Sequence, residues 1–469
     1  KRSKPKNHLS PRFKIGNFRM IRLVFGSIVA SLLMIAPVQN VAANQPSNNH
    51  SFAQFCSDLQ AKDDFTTNPE EIAEFATKFA INNQWRFEHH QLRQRGPATR
   101  LQFIFQTDQK MTAKLWTVFM SGSLRTMRGE ILQGETPLSL SVFTRDCMMI
   151  ETRQITYLDD GRMQYVTVKR HGQPADKIWI NPPSMRPTAP SKTKPNQHLR
   201  IGHIDSGIDY RRPAFQQYLI YDRSGVLVAR DMWDGDHLPF DASLGQSPFY
   251  PQSHGSYVVD ILHKSGVGFQ ILPVRYPRPD MALMGDAVDW LAAQNARIVM
   301  MPLGSQSPDD WTYFFAAAKR HPEILFIISA GNNGVDLGKL PIYPAVNALE
   351  NAITVTSTMP DGRLADGSNF GIAVDIGLPA ENLLATGAGE LKSMMSGSSF
   401  AVPKLTAYVI CFANSAMPNR LTGKELAQAV KASLRPAKST TGYGRFLSDS
   451  KLDETCKPYR QDKNPKIKD

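Results

Sequence analysis

LRIGHIDSGID, residues 199–209, changes the character of the chain. Just before it, residues 181–198 read NPPSMRPTAPSKTKPNQH, with five prolines among polar residues, the composition of a linker or exposed strap. From 199 onward, short β-branched runs alternate with helix-like segments: LRIGHID, SYVVDILHKS, QILPVRY, GDAVDWLAAQNA, RIVMMPLG, DDWTYFFAAAKRH, ILFIISAG, AITVTST and FAVPKLTAYVICFA. Strand–helix alternation calls for a parallel sheet with helices on both faces. In such open sheets reactive groups gather at the carboxyl ends of strands. Asp205 ends the first strand and enters a Ser-Gly turn, so the residues to inspect next are those that end the other strands.

Three further motifs stand at such boundaries. His254 lies at a glycine-marked turn that opens a helix, in SHGSYVVDIL; Asn332 follows a strand in IISAGNNG; Ser399 meets a helix in MMSGSSFAVP, residues 394–403. Each has an ordinary reading as a turn, a loop or a cap, and the Ser398-Ser399 pair reads blandly as an N-cap. Together they supply the groups that serine acyl transfer needs. A free hydroxyl is a poor nucleophile and requires a base. The imidazole requires a carboxylate to fix its tautomer, and the oxyanion requires a preset donor, for which a side-chain amide serves. Asp…His…Ser is one of the chain orders in which this triad occurs.

The segment 199 to about 435 resembles the subtilisin-like serine peptidases. IDSGID is similar to their Asp motif, HGSYV to their His-Gly-Thr motif, SAGNNG to their oxyanion-asparagine strand end, and SGSSFAVP to their serine motif. The resemblance implies a secreted serine endopeptidase with Asp205, His254 and Ser399 as catalytic residues and Asn332 in the oxyanion hole. It also implies that Leu303 and Gly304 bind substrate, and that Ser398 holds a position usually taken by Thr. The implied partner is a polypeptide, handled by a monomer that requires no cofactor. Relatives carry structural calcium, but no residue here is assigned to it. DMWDGD offers Asp231, Asp234 and Asp236, for which a solvated turn is the expectation. There are departures. Pro302 replaces the serine of the family's substrate-binding Ser-Leu-Gly, and proline removes a backbone donor. The loop WDGDHLPFDASLGQSPFYPQ lengthens the Asp-to-His segment. The alternative of a different class is a catalytically inactive subtilisin-like binding module.

The rest of the chain bounds these expectations. Its net charge is +12, but the first 22 residues hold eight Lys or Arg and no acid; without them the charge is ordinary, and no basic stripe interleaved with aromatics remains to suggest nucleic acid. Residues 1–43 read as a basic leader and secretory signal, IRLVFGSIVASLLMIAPV at 21–38 followed by VAAN, cleaved after Ala43. Membrane contact is expected only if that segment stays uncleaved; otherwise the protein is exported, to the periplasm or outside the cell. Residues 44–180 read as an α+β region, either a propeptide or an accessory domain, with a hairpin turn at Asp160-Gly161. Residues 199–450 form the expected catalytic domain and 451–469 a polar tail. Export allows disulfides, and one bridge per region, Cys56–Cys147 and Cys411–Cys456, is the expected pairing among three connectivities.

Overall fold

The computed structural model describes residues 47–61, 67–183, 198–346, 349–415, 421–437 and 442–460. The expected leader and signal, most of the proline-rich linker and the end of the tail lie outside these residues. Two helices come first, α1 (Ser47–Gln60) and α2 (Pro69–Asn82). Asn68 caps α2 by accepting from the Glu70 N–H, with Pro69 in the first turn where its missing donor costs nothing.

Eight strands then run as an antiparallel meander: β1 (Arg86–Arg95), β2 (Ala98–Gln106), β3 (Thr112–Met120), β4 (Ser123–Gln133), β5 (Thr136–Thr144), β6 (Met149–Tyr157), β7 (Met163–Arg170) and β8 (Asp176–Trp179). Alternating apolar residues turn one face toward α1 and α2. Phe52, Phe55 and Phe79 from the helices pack on Leu101, Phe103, Phe105 and Leu115 from the strands. Gly129 lets α1 approach: a Cβ there would lie 2.4 Å from the Phe52 ring. The Cys56–Cys147 disulfide joins α1 to the turn after β5.

A second, nine-stranded sheet occupies the rest. In chain order its parts are β9 (Arg200–Asp205), the short α3 (Pro213–Gln216), β10 (Arg230–Asp231), α4 (Gly255–Lys264), β11 (Gln270–Arg275), α5 (Met284–Ala293), β12 (Ile298–Met301), α6 (Thr312–Arg320), β13 (Leu325–Ser329), β14 (Ala352–Thr358), β15 (Ile376–Pro379), a hairpin of β16 (Leu383–Thr386) and β17 (Lys392–Met395), α7 (Ser398–Ser415), α8 (Gly423–Ala432), β18 (Arg435–Pro436), β19 (Arg445–Phe446) and α9 (Asp449–Cys456). The strand order is β10-β11-β9-β12-β13-β14-β15-β19-β18, parallel except for the β18–β19 pair. The strands are apolar on both faces, as burial on both faces demands. In β13, Leu325 and Ile327 face the side of α4 and α7, while Phe326 and Ile328 face α5 and α6. The fold is therefore α/β, with helices on both faces of a mainly parallel sheet and an α+β unit before it.

Pro403 lies in the second turn of α7. The helix α9 runs into the start of the polar tail, and the Cys411–Cys456 disulfide fastens it to the C-terminal half of α7. Among the described residues no helix is long and apolar enough to cross a membrane.

Candidate active site

Asp205 is the last residue of β9, His254 caps the start of α4, Asn332 follows β13, and Ser399 is the second residue of α7. The parallel sheet brings the ends of β9 and β13 to one rim, and α4 and α7 start there. The α4 start is held tightly: a Cβ on Gly255 would lie 2.0 Å from the Gly207 carbonyl, so only glycine fits behind His254. Asp205 is buried and receives the imidazole squarely, with His254 Nδ1 2.8 Å from Oδ1 and 2.9 Å from Oδ2. Its Oδ1 also accepts from the Ser206 N–H at 2.6 Å. Burial opposes ionisation of Asp205, but the neighbouring imidazole and its hydrogen bond outweigh it and hold the carboxyl below its ordinary range. Burial likewise opposes protonation of His254, and Asp205 outweighs it, raising the imidazole above its usual value. With Nδ1 committed, Nε2 is the nitrogen left for chemistry.

The ring of His254 stands 5.5 Å from that of Phe400, centroid to centroid, which sets the start of α4 against the start of α7. Ser399 Oγ donates to the Pro302 carbonyl at 3.3 Å. Asn332 Oδ1 accepts from both the N–H and the Oγ of Ser398, each at 2.9 Å. Gly397, at φ +115°, makes the approach feasible; a Cβ there would lie 2.8 Å from Asn332 Oδ1. Ser398 Oγ also meets Ser329 Oγ at 2.7 Å, so the residue pins α7 to the end of β13. A cavity of about 660 Å³ is lined by Asp205, His254, Pro302, Leu303 and Gly304 among others. Ser399 and Asn332 are not among its lining residues; Ser399 is tied to it through Pro302.

Sequence reasoning passed over Asp241, which sits in the lengthened Asp-to-His loop. Its buried carboxylate accepts from Ser206 Oγ at 2.6 Å, from the His254 N–H at 3.0 Å and from the Ser256 N–H at 2.7 Å. Three donors at the mouth of α4 are thus satisfied by one side chain 13 residues before His254. No local pattern announces it. His203 was also missed. It is fully buried behind the site, with Nε2 3.9 Å from Asp205 Oδ2, and burial pushes its pKa down, which keeps it neutral.

The DMWDGD turn is not solvated. Arg275, from the end of β11, is fully buried and donates to Asp231 at 3.0 Å and to Asp234 at 2.9 Å, while Arg162 of the N-terminal sheet holds Asp236 at 2.7 Å. Guanidinium groups occupy the carboxylates a cation would need. Among the described residues no group of three or more His, Cys, Asp or Glu is disposed to hold a metal ion.

The sequence profile of the subtilase family matches residues 196–449, slightly more than half of the chain. The chain belongs to the subtilase family. This subtilase is 25% identical over 269 residues to a thermophilic serine proteinase of Bacillus sp. (strain AK1), covering 54% of this chain and 61% of that protein. It is 24% identical over 219 residues to halolysin of Haloferax mediterranei, covering 44% and 39% of the two. The chain thus spans only part of the length of the curated relatives it matches. Among solved structures it is similar to a cold adapted subtilisin-like serine proteinase, at 21% identity and a TM-score of 0.43, covering 53% of this chain and 88% of the other.

Proposed function

We propose that this subtilase is an exported serine endopeptidase. In this reading His254 Nε2 takes the Ser399 proton as the oxygen attacks a peptide carbonyl. The side-chain N–H of Asn332 and the backbone N–H of Ser399 receive the oxyanion. His254 then protonates the leaving amine, and water, activated by the same imidazole, hydrolyses the acyl-enzyme. Leu303 and Gly304 line the cleft along which the polypeptide would lie. The observation that carries the reading is the bidentate approach of Asp205 to His254 Nδ1, with the imidazole facing a cleft large enough for several residues of substrate. Two disulfides suit an oxidising compartment. A fluorophosphonate probe tests the proposal: it should label the wild-type protein and not Ser399→Ala, and labelling of both would reassign the nucleophile.

We read residues 44–180 as a retained accessory domain rather than a propeptide. Leu140, Ile155, Val166 and Val168 belong to the same hydrophobic cluster as Ile201, Phe249 and Tyr257, and Arg153 donates from a buried position to the Phe249 carbonyl at 2.9 Å. Release of the region would expose that apolar face and leave the buried Phe249 carbonyl without the Arg153 donor. Mass analysis of the purified, active protein checks this: the region should be present. A new N-terminus within 184–200, with the upstream fragment absent, would restore the propeptide reading.

One observation favours an inactive binding module. Ser399 donates to the Pro302 carbonyl, a bond it must exchange for His254 before it can act. Absence of labelling in the wild-type protein would select that reading.

A further inference from the structure

The N-terminal sheet is used unequally. One face is covered by α1 and α2 over the β1–β5 part of the sheet. On the other face, the β5–β8 half carries Leu140, Ile155, Val166 and Val168 into the core shared with the parallel sheet. The β1–β4 half of that same face is open. Its registers set Gln91, Gln102, Trp116 and Arg128 in one cross-strand row, and Arg93, Arg100, Val118 and Thr126 in the next. Trp116 is 41% exposed, and Arg93, Arg100 and Arg128 are exposed as well. Arg93 and Arg100 face each other across one hairpin, and strand pairing brings Arg128, 28 residues further on, to the same face.

The open face is one wall of a groove of about 580 Å³ whose other wall is Gln246, Ser247 and Pro248. Gln246 also lines the catalytic cleft. The loop carrying it is braced at its base by the Ser243–Gln252 backbone pair, and Tyr250 in the same loop lies under Arg153 and Arg128, 3.9 and 5.4 Å from its ring. Groove and cleft therefore meet at Gln246. The groove is positively charged; its one lining carboxylate, Glu130, is half-buried, and that burial raises its pKa.

We propose that the open face of β1–β4 is an exosite for an acidic, extended stretch of the polypeptide whose scissile bond lies in the cleft. Arginines beside an exposed tryptophan are the side chains that most often dominate protein recognition. The three arginines select for carboxylates, and their continuity with the cleft at Gln246 selects a polypeptide over a nucleic acid. The inference rests on the peptidase reading for the identity of the bound chain, but its first test does not.

That test uses full-length protein with Ser399→Ala and a fluorescein-labelled (Glu-Ala)₁₀ peptide, followed by anisotropy. The peptide should bind, more weakly as salt rises because exposed charges are screened beyond about 8 Å at physiological ionic strength. Arg100→Glu with Arg128→Glu should weaken binding about tenfold or more. The charge-matched control, Arg223→Glu with Lys319→Glu, should leave it unchanged. No binding, equal losses in both variants, or tighter binding of a single-stranded oligonucleotide than of the peptide would overturn the proposal. The second test uses active protein and a short peptide substrate, compared with the same sequence carrying an acidic extension at either end. One extension should lower KM in wild type and not in the Arg100→Glu, Arg128→Glu variant, with the short substrate cleaved equally by both. An equal KM for short and extended substrates would also overturn it. If no substrate is cleaved at all, the peptidase reading fails while the anisotropy result still decides the exosite.

Discussion

The oxygen of the Asn332 side chain is held twice by Ser398, through its N–H and through its hydroxyl, each at 2.9 Å. An amide whose acceptor end is fully engaged has its N–H end oriented, which is what an oxyanion donor requires. Asn332→Ala should therefore lower kcat by roughly 10²–10³ with little change in KM, by the measure of the corresponding asparagine of subtilisin, the protein behind that figure. Ser398→Ala removes one of the two restraints and should lower kcat by less. Steady-state kinetics on a peptide substrate checks both, and equal effects from the two variants would contradict the arrangement.

Loss of the proposed nucleophile, Ser399, should be far more severe. Ser399→Ala should reduce turnover about 10⁶-fold, again by the subtilisin measure. The readout is residual hydrolysis in a preparation free of wild-type enzyme.

The pH profile follows from the Asp205–His254 pair. The proposed base, His254, must be neutral to act, and its imidazole is raised above its ordinary value of about 6.5 by the buried carboxylate beside it. Activity should appear only as pH climbs past that raised value, placing the acid limb of kcat/KM above 6.5. Stability runs the other way. The contribution from the raised histidine is fully present below the unfolded value and is lost as pH rises through the folded one. The depressed Asp205 adds stability that disappears as pH falls through its own folded value. Asp205→Asn should move the acid limb down and cut kcat sharply. An unshifted limb would show that another group sets it.

Asp241 makes a prediction that no motif suggested. Asp241→Ala leaves the Ser206 hydroxyl and the Ser256 N–H without their acceptor, and leaves the His254 N–H with Ser206 Oγ alone, at 3.1 Å. It should cost about 2 kcal/mol of stability, the upper range for a lost helix cap. It should also lower kcat by loosening the start of α4. Thermal unfolding and kinetics measured on the same preparation separate the two effects.

Arg275 offers a test without catalysis. Arg275→Ala would leave the Asp231 carboxylate buried and uncompensated, at a cost of about 3–5 kcal/mol. Because guanidinium groups already occupy this turn, chelator treatment should leave the wild-type melting temperature unchanged. A fall in melting temperature on chelation would place a bound cation elsewhere in the molecule.

Much of the parallel sheet was legible because its strands are apolar on both faces and stop at small polar turns; the runs ending at Asp205 and Ser329 show this plainly. Asp205 and Asn332 stood out as candidates because each stands where such a strand stops, and His254 and Ser399 because each stands in a small-residue turn that opens a helix. Features that depend on side chains meeting across distance were not. Asp241 lies in a loop with no period, and its role exists only once α4 is placed against it. Arg275 ends an ordinary strand, and nothing in QILPVR announces that it will neutralise a turn some forty residues upstream. Arg93, Arg100 and Arg128 look scattered along the chain, and only the registers of β1, β2, β3 and β4 gather them around Trp116.

The docking of β5–β8 reaches further than the contact itself. Strands β1–β4 are hydrogen-bonded in series to an anchored half, which ties the arginine-lined groove to the cleft. Any polypeptide that touches both must bridge a constant interval. The molecule then acts as a ruler, sorting chains by how far a negatively charged run lies from a cleavable bond, and two proteins with identical scissile sequences would fare differently if that spacing differed.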